Sequence, residues 1–210
     1  CSNHAVQLIH EGIVEAGGPP NLVCAIAEPT IETAQQIMHH PNVQLLGITG
    51  GEGVVRVAMQ SGKRAVCAGP GNPPVVVDET ADLEQAGRDI VRGAAFDNNI
   101  ICIDEKEIFA VASIADELKR LMCNHGAYEI NSWQLNRLMK SVFTQVPPAG
   151  QHGTMNKAFI GKNANVLLKE IGIDVGDEIR LVLAEVEHDH PLVLTEQMMP
   201  IIPLVRVRDA

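Results

Sequence analysis

Aromatic and basic residues are both scarce in this chain of 210 residues. Tryptophan, tyrosine and phenylalanine together make up 3% of it, although hydrophobic residues as a whole reach 46%. The core must therefore be built mainly from aliphatic side chains. Sixteen basic residues face 26 acidic ones, which leaves a formal net charge of -10. This balance argues against nucleic acid or an anionic membrane as partners, because phosphate recognition needs clustered lysine and arginine.

Cysteine pairs and long apolar runs are also missing. The cysteines form no C-x-x-C pair and are odd in number; they are Cys1, Cys24, Cys67, Cys102 and Cys123. This usage indicates a reducing cytoplasm rather than an oxidising compartment. The most apolar run, residues 65–77, contains three prolines and two glycines, so no membrane span is predicted. No signal peptide is predicted from the pattern of the first residues. Because the chain opens in a helical pattern without an initiator methionine, we expect it to be a fragment.

Strand and helix patterns alternate along the chain. Strands are predicted at 21–27, 43–48, 64–68, 75–77, 107–112, 180–186 and 204–207. Helices are predicted between them, starting at Ser2 or Asn3, Thr30, residue 54, Asp82, Ser113, Ser132 and Asn165. This alternation predicts an α/β fold with largely parallel sheets. The rigid loop at 69–74, GPGNPP, marks a boundary between two domains, 1–68 and 69–210.

A glycine-rich turn, TGGEG, occupies residues 49–53 between a predicted strand and a predicted helix. Glycines in such a turn let a phosphate approach the backbone N–H groups at the positive end of the helix. The segment lacks the G-x-G-x-x-G spacing, and no P-loop lysine follows it. From the pattern alone, a phosphate-binding turn and a plain tight turn both stay open.

The stretch FDNNIICIDEKE, residues 96–107, contains an isolated cysteine, Cys102. A cysteine flanked by isoleucines is commonly a small buried hydrophobe. However, its loop follows a helix and precedes a strand, where α/β enzymes carry reactive groups. Asn98 and Asn99 add polar groups, which a segment that only fills an apolar core does not need. Core filling and a nucleophilic role therefore both stay open.

Two further polar clusters have plain readings. The charged residues 104–107, DEKE, are predicted to form a solvated start of the next strand. His188 and His190 could point to one side of a strand as a metal pair, but no third ligand has the required spacing. We therefore predict no metal site.

Five stretches occur in an order that resembles the aldehyde dehydrogenase superfamily. They are EAGGPPNLV (15–23), ITGGEGVV (48–55), AGPGNPPVVVDETADL (68–83), FDNNIICIDEKE (96–107) and TEQMMPIIPLVRV (195–207). The likeness covers nearly the whole chain and is to the CoA-acylating branch, the acetaldehyde and propionaldehyde dehydrogenases of ethanolamine and propanediol utilisation. It implies an aldehyde dehydrogenase-like α/β fold with parallel-sheet lobes. Residues 1–68 would be the end of the NAD-binding domain, and 69–210 a catalytic domain truncated at its C-terminal end.

The resemblance also implies roles for individual residues. Cys102 matches the catalytic cysteine of the family. Thr49, Gly50 and Gly51 match the turn that lies along the pyrophosphate and nicotinamide of NAD. Glu196 matches the glutamate of the E-x-F-G-P motif, which binds the nicotinamide ribose. The implied reaction oxidises a short-chain aldehyde, acetaldehyde or propionaldehyde, with NAD and CoA to an acyl-CoA through a cysteine thioester. The parent enzyme would be a homo-oligomer in the cytoplasm or in a bacterial microcompartment.

Two positions depart from the wider family. Met198 replaces the aromatic residue of the E-x-F-G-P motif. Cys67 stands where hydrolytic aldehyde dehydrogenases carry the glutamate that activates water. Since a thiol does not replace a carboxylate as a water-activating base, the resemblance implies a thioester that persists until CoA attacks it.

Three other functions remain as alternatives. A hydrolytic aldehyde dehydrogenase would form a free acid, and CoA dependence of NADH formation would separate it from the acylating enzyme. A non-catalytic nucleotide-binding or assembly domain would use Cys102 only as core. A cysteine hydrolase is a further alternative, although no histidine is positioned by pattern to pair with Cys102. The preferred aldehyde and the choice between NAD and NADP are left open.

Overall fold

The computed structural model describes residues 2–209 and has the α/β fold with parallel sheets that the sequence predicts. Contacts divide the chain into two compact units, one ending at Gly69 and the other starting at Pro70. Four cysteines, Cys24, Cys67, Cys102 and Cys123, are free thiols, while Cys1 lies outside the described residues. Within residues 2–209, no helix is both long and apolar enough to cross a membrane.

Over its described residues, 2–69, the first unit contains a two-stranded parallel sheet and three helices. Its elements are α1 (Ser2–Glu15), α2 (Ile31–His39), β1 (Leu45–Thr49), α3 (Glu52–Gln60) and β2 (Arg64–Ala68). Helix α2 begins where the sequence predicts, because Thr30 and Thr33 form a capping box. Met38, Leu46 and Ala58 form a small buried core.

The strand predicted at 21–27 is wrong. These residues form a loop, in which Asn21 has a left-handed φ of 62°. Leu22 and Ile26 are exposed. An apolar run becomes a strand only where another strand can satisfy its backbone, and none pairs with it among residues 2–209.

The second unit is built on a five-stranded, fully parallel sheet in the order β3-β4-β9-β8-β5. Its strands are β3 (Pro74–Val77), β4 (Glu107–Val111), β5 (Ala127–Ile130), β8 (Leu181–Val186) and β9 (Ile201–Val207). Its helices are α4 (Leu83–Ala94), α5 (Ala115–Asn124), α6 (Ser132–Val142), α7 (Ala164–Lys169) and α8 (Pro191–Leu194). A short antiparallel hairpin, β6 (Phe143–Gln145) with β7 (Thr154–Met155), was not predicted.

Helices cover both faces of this sheet. Ile90 of α4 and Leu118 of α5 pack with Ile108 and Leu204 on one face. On the other face, residues of α6 and α7 pack with Val182 and Ile201 of the sheet. Strands buried on both faces are mostly apolar. The buried residues of β8 (181–184) and β9 (201–205) are accordingly aliphatic or proline.

Helix starts test the predicted caps. Asp82 accepts the N–H of Gln85 and caps α4 as expected. The Ser113 cap is wrong, because its hydroxyl donates to Glu79 instead. The Ser132 cap is also wrong: Asn131 forms a capping box with Gln134, so Ser132 is already the first residue of α6.

The sheet order brings three loops to one edge. Strands β3, β4 and β9 are neighbours and run in parallel, so the loops before them meet at the amino-terminal edge of the sheet. Those loops carry Gly71, Cys102 and Glu196, respectively.

Candidate active site

Cys102 lies in a tight turn between α4 and β4, and its side chain is half-buried. The carboxylate of Asp104 accepts the N–H of Ile101 at 3.1 Å, and the N–H of Asp104 donates to the carbonyl of Ile101 at 3.1 Å. The turn is therefore closed by its own residues. Within residues 2–209, the N–H of Cys102 donates to no protein acceptor, which leaves it available to an oxyanion.

The segment that leads into this turn has an unusual backbone. Asp97, Asn98 and Asn99 are consecutive and have φ angles of 44°, 54° and 62°. Left-handed conformations are disfavoured for residues with a Cβ, and asparagine tolerates them better than most. The left-handed backbone that asparagine tolerates therefore explains why Asn98 and Asn99 precede the isoleucines at 100 and 101.

Side-chain amides hold that segment in place. Asn98 Nδ2 donates to the carbonyl of Gly161 at 3.0 Å and to Asn163 Oδ1 at 2.9 Å. Asn99 is 0% exposed, and its Nδ2 donates to the carbonyls of Ala94 at 2.8 Å and Glu105 at 2.9 Å. Both asparagines therefore tie the Cys102 turn to the rest of the unit.

The loop before β3 packs directly on the catalytic candidate. A Cβ built on Gly71 would collide with the carbonyl oxygen of Cys102 and lie 3.0 Å from its Cβ. Only glycine fits a backbone approach this close. Gly71 was not predicted as a site residue. Its role depends on β3 and β4 being neighbours in the sheet, which the sequence does not reveal.

The predicted solvated strand start at 104–107 is wrong, because three of its four charged residues are buried and Glu105 is half-buried. Lys106 is 0% exposed and Glu107 is 5% exposed. Lys106 Nζ donates to the carbonyl of Asn99 at 2.7 Å and to its Oδ1 at 2.6 Å. Desolvation lowers the pKa of Lys106, and the nearby carboxylates Glu196, Asp104 and Glu107 oppose this shift. Because strand β4 begins inside the protein at this point, the polarity of these residues does not predict their exposure.

Burial also changes the acidic neighbours. Desolvation raises the pKa of Glu107 to about 7, with the Lys106 ammonium acting in the opposite direction. One carboxylate oxygen of Glu107 has no hydrogen-bond partner within residues 2–209. Desolvation also raises the pKa of Asp104. The pKa values of Glu107 and Asp104 therefore depend on how tightly the site is packed.

Glu196 lies on the loop between α8 and β9 and is half-buried. Its neighbour Gln197 is fully buried and donates its amide to the carbonyl of Leu192. Asn72, next to Gly71, donates to the following carbonyl, that of Val193, at 2.7 Å. Two loops of the site are thus held by consecutive carbonyls of α8. Glu196 also interacts by charge with Lys106. The Cys102 loop and the Glu196 loop therefore lie at the same edge of the second unit.

Thr49, Gly50 and Gly51 belong to the first unit, where they join the end of β1 to α3. The N–H of Gly50 donates to the carbonyl of Ala68 at 3.1 Å. Gly51 caps α3 without any side-chain hydrogen bond, and a Cβ built there would meet nothing within 4 Å. The open helix start fits the phosphates of a dinucleotide such as NAD.

Cys67 is half-buried on β2 and packs against the core residues Met38, Leu46 and Ala58. Its thiol therefore serves the packing of the first unit. No carboxylate occupies position 67 that could activate water.

Of the two histidines His188 and His190, the second has a local structural role. His190 precedes α8, and its Nδ1 accepts the N–H of Leu192 at 3.3 Å. Burial lowers its pKa. Within residues 2–209, no group of three or more His, Cys, Asp and Glu side chains could hold a metal ion.

Comparison with known proteins identifies related enzymes. The aldehyde dehydrogenase family model matches residues 2–131. Acetaldehyde dehydrogenase (acetylating) EutE of Salmonella typhimurium is 45% identical over 207 residues, which cover 98% of this chain and 44% of that protein.

Two solved structures extend the likeness to the fold. A propionaldehyde dehydrogenase from the fucose utilisation microcompartment of Clostridium phytofermentans has 45% identity and a TM-score of 0.92, with 99% of this chain and 46% of that one covered. A propionaldehyde dehydrogenase of Rhodopseudomonas palustris, solved with bound CoA and an acylated cysteine, has 45% identity and a TM-score of 0.89; 97% of this chain and 45% of that one are covered.

The match has a clear extent. This chain spans less than half the length of each of these three proteins, and the family model covers more than half of the chain. The aldehyde dehydrogenase-like fold predicted from the motifs is thereby confirmed. The chain belongs to the aldehyde dehydrogenase family.

Proposed function

We propose that this chain carries the acyl-transfer centre of a CoA-acylating, NAD-dependent aldehyde dehydrogenase, with Cys102 as the nucleophile. The observation that carries the proposal is the setting of Cys102. Its thiol is free and half-buried in a turn that Gly71 packs against, and the N–H of Cys102 donates to no acceptor among residues 2–209. A cysteine that only filled the core would need neither the glycine contact nor the polar supports.

The first step is attack on the aldehyde. The Cys102 thiol releases its proton to solvent water, and the sulfur adds to the carbonyl carbon. The carbonyl oxygen becomes an oxyanion, to which the free N–H of Cys102 can donate. NAD, when bound, supplies a hydride acceptor. Loss of hydride from the same carbon leaves a thioester on Cys102.

The second step is transfer to CoA. The CoA thiolate adds to the thioester carbonyl, the bond from carbon to the Cys102 sulfur breaks, and Cys102 leaves as a thiolate. Cys67 packs in the first unit in place of a carboxylate base, so hydrolysis has no general base at that position. This favours CoA over water as the acyl acceptor.

We assign the remaining roles by the same reasoning. Thr49, Gly50 and Gly51 would contact the phosphates and nicotinamide of NAD, and Glu196 would contact the nicotinamide ribose. Residues 1–68 would contribute to NAD binding, and residues 69–210 to thiol chemistry. The related acetylating and propionaldehyde enzymes support acetaldehyde or propionaldehyde as substrate. The microcompartment named for one relative supports that location as the alternative to the cytoplasm, and the proposed parent enzyme is a homo-oligomer.

The test uses p-nitrophenyl acetate, which delivers an acetyl group without NAD. We expect a burst of p-nitrophenolate that matches the number of Cys102 thiols, followed by slow turnover, because the thioester persists. Adding CoA should convert the burst into continuous turnover. The Cys102→Ser variant, measured with the same CoA concentration, subtracts the direct reaction of CoA with the ester.

Two results would contradict the proposal. Turnover that is equally fast with and without CoA would identify a hydrolytic enzyme. A burst that persists in Cys102→Ser would show that another group carries the acyl chemistry.

A further inference from the structure

Burying the ammonium group of Lys106 costs folding free energy, and the proposed reaction does not use this residue. It is 0% exposed, and a buried ammonium needs strong compensation. Within residues 2–209 it forms no salt bridge within 4 Å; its hydrogen bonds go to the carbonyl and the amide oxygen of Asn99. A leucine or methionine would pack such a site at lower cost, so the presence of lysine calls for a specific role.

The ammonium of Lys106 fixes one side of the Cys102 turn. Asn99 is the last of three residues with left-handed φ, and it stands three positions before Cys102. Lys106 Nζ holds Asn99 by its main chain at 2.7 Å and by its side chain at 2.6 Å. The amide of Asn99 in turn reaches the carbonyl of Glu105, the residue before Lys106. The backbone from 99 to 106 is therefore closed into a loop that contains Cys102.

The main chain of Lys106 fixes the other side. Its N–H donates to the carbonyl of Pro73 at 3.0 Å. Pro73 follows Gly71 by two residues, and Gly71 packs on the Cys102 peptide. Lys106 thus ties the loop that carries Cys102 to the loop that carries Gly71.

We propose that Lys106 is a positioning residue for Cys102, which acts by holding Asn99 so that the thiol and N–H of Cys102 keep the geometry required for acyl transfer. This inference rests on the proposed function of Cys102. Positioning differs from direct electrostatic activation of the thiol, because it affects reactions that need an ordered oxyanion site and spares those that do not.

The experiment compares two reactions of the same thiol. Acetylation by acetyl-CoA passes through an oxyanion, whereas methyl methanethiosulfonate transfers a methylthio group to the sulfur and releases methanesulfinate, with no oxyanion. Both adducts on Cys102 are quantified by peptide mass spectrometry over time. The variant is Lys106→Met, which keeps the approximate volume and removes the hydrogen bonds. Lys140→Met, an exposed lysine on α6, is the matched control.

We expect Lys106→Met to slow acetylation of Cys102 by roughly 10²-fold, the order of loss that a small misplacement produces. Its reaction with methyl methanethiosulfonate should stay close to that of the unsubstituted chain, and Lys140→Met should change neither rate. An equal fall of both rates would overturn positioning in favour of direct thiol activation. Unchanged acetylation would overturn any role of Lys106.

Asn99→Gly provides a second test that does not depend on Lys106→Met folding. Glycine keeps the left-handed conformation and removes the amide that Lys106 and two carbonyls share. We expect Asn99→Gly alone to slow acetylation selectively, and the double variant to be no slower than the slower single variant. Two results would overturn action through Asn99. One is an acetylation rate in Asn99→Gly that does not fall relative to the methanethiosulfonate reaction. The other is a double variant whose acetylation rate falls by the product of the two single effects. Absence of acetylation in the unsubstituted chain would instead overturn the proposed function, and this inference with it.

Discussion

The backbone of Gly71 packs against the peptide of Cys102 so closely that a methyl group on Gly71 would collide with the Cys102 carbonyl oxygen. The two residues belong to different loops, which precede neighbouring strands β3 and β4. The position of the thiol is therefore set by the absence of a side chain 31 positions earlier in the sequence. This contact makes the glycine part of the active-site geometry.

Replacing Gly71 by alanine should displace the Cys102 turn. We expect acetylation of Cys102 by acetyl-CoA to fall by roughly 10²-fold, and the free energy of unfolding to fall by about 1–3 kcal/mol from overpacking. Gly12→Ala in α1, where a Cβ meets nothing within 4 Å, is the control and should leave acetylation unchanged. Normal acetylation in Gly71→Ala would show that the turn adjusts at little cost.

Replacing Gly51 by valine should separate NAD binding from acyl transfer. Gly51 has a φ of -65° and open space at its Cβ, so valine fits the fold but blocks approach to the start of α3. We expect the Kd for NAD, measured by calorimetry, to rise by about tenfold or more, which corresponds to about 1.4 kcal/mol. Acetylation of Cys102 should be retained. Unchanged NAD affinity would remove this turn from the cofactor site.

The buried carboxyl of Glu107 should make stability depend on pH. Its pKa rises from 4.5 to about 7 in the folded protein, so between these values the folded state binds more protons than the unfolded state. Stability contributed by the neutral group is therefore complete below pH 4.5 and is lost as pH rises through 7.

The measurement is urea unfolding of the unsubstituted chain and of Glu107→Gln from pH 4.5 to 8. We expect the variant to gain about 1–3 kcal/mol relative to the unsubstituted chain across this range. Glu170→Gln, an exposed residue at the end of α7, should show no such trend. A difference that does not vary with pH would mean that Glu107 is charged in the folded protein.

Glu185 should contribute the opposite pH dependence. Hydrogen bonds from Arg206, with further support from Lys119, lower the pKa of Glu185 from 4.5 to about 2. Its contribution is present above pH 4.5 and is lost as pH falls towards 2. Because the pair is about one-third exposed, solvent screening reduces the effect.

We expect Glu185→Gln to lower the free energy of unfolding by about 1 kcal/mol at pH 7, with the difference shrinking towards pH 3 in the same urea experiment. Arg206 also donates to Asp116 and to the carbonyl of Ala112, so part of the network survives the change. Equal destabilisation at both pH values would point to lost packing instead of a lost ion pair.

Periodicity predicted the parts of the fold that depend on local pattern. The parallel strands other than β5, which was not predicted, and most helices lie where alternation and apolar runs place them, because both faces of the main sheet are buried. The segment 21–27 had the same apolar signal but no neighbouring strand. The β6–β7 hairpin was missed because strands of three and two residues depend on pairing and have no pattern of their own.

The site was predictable only where a motif named a residue. Cys102 was identified through the resemblance, but the burial of Lys106 and Glu107 was not, since a DEKE run resembles a solvated surface until the packing around it is known. The contact of Gly71 with Cys102 likewise depends on strand order. Chemistry-bearing residues could be found in the sequence, whereas the residues that support them emerged only with the sheet.

The central claim is that Cys102 exchanges acyl groups with CoA. The most direct measurement is incubation of the chain with acetyl-CoA, followed by peptide mass spectrometry over all five cysteines, with Cys102→Ser as the control. The account predicts one acetyl adduct, confined to Cys102 and absent from the serine variant. Acetylation spread evenly over the cysteines, or absent from Cys102, would contradict it.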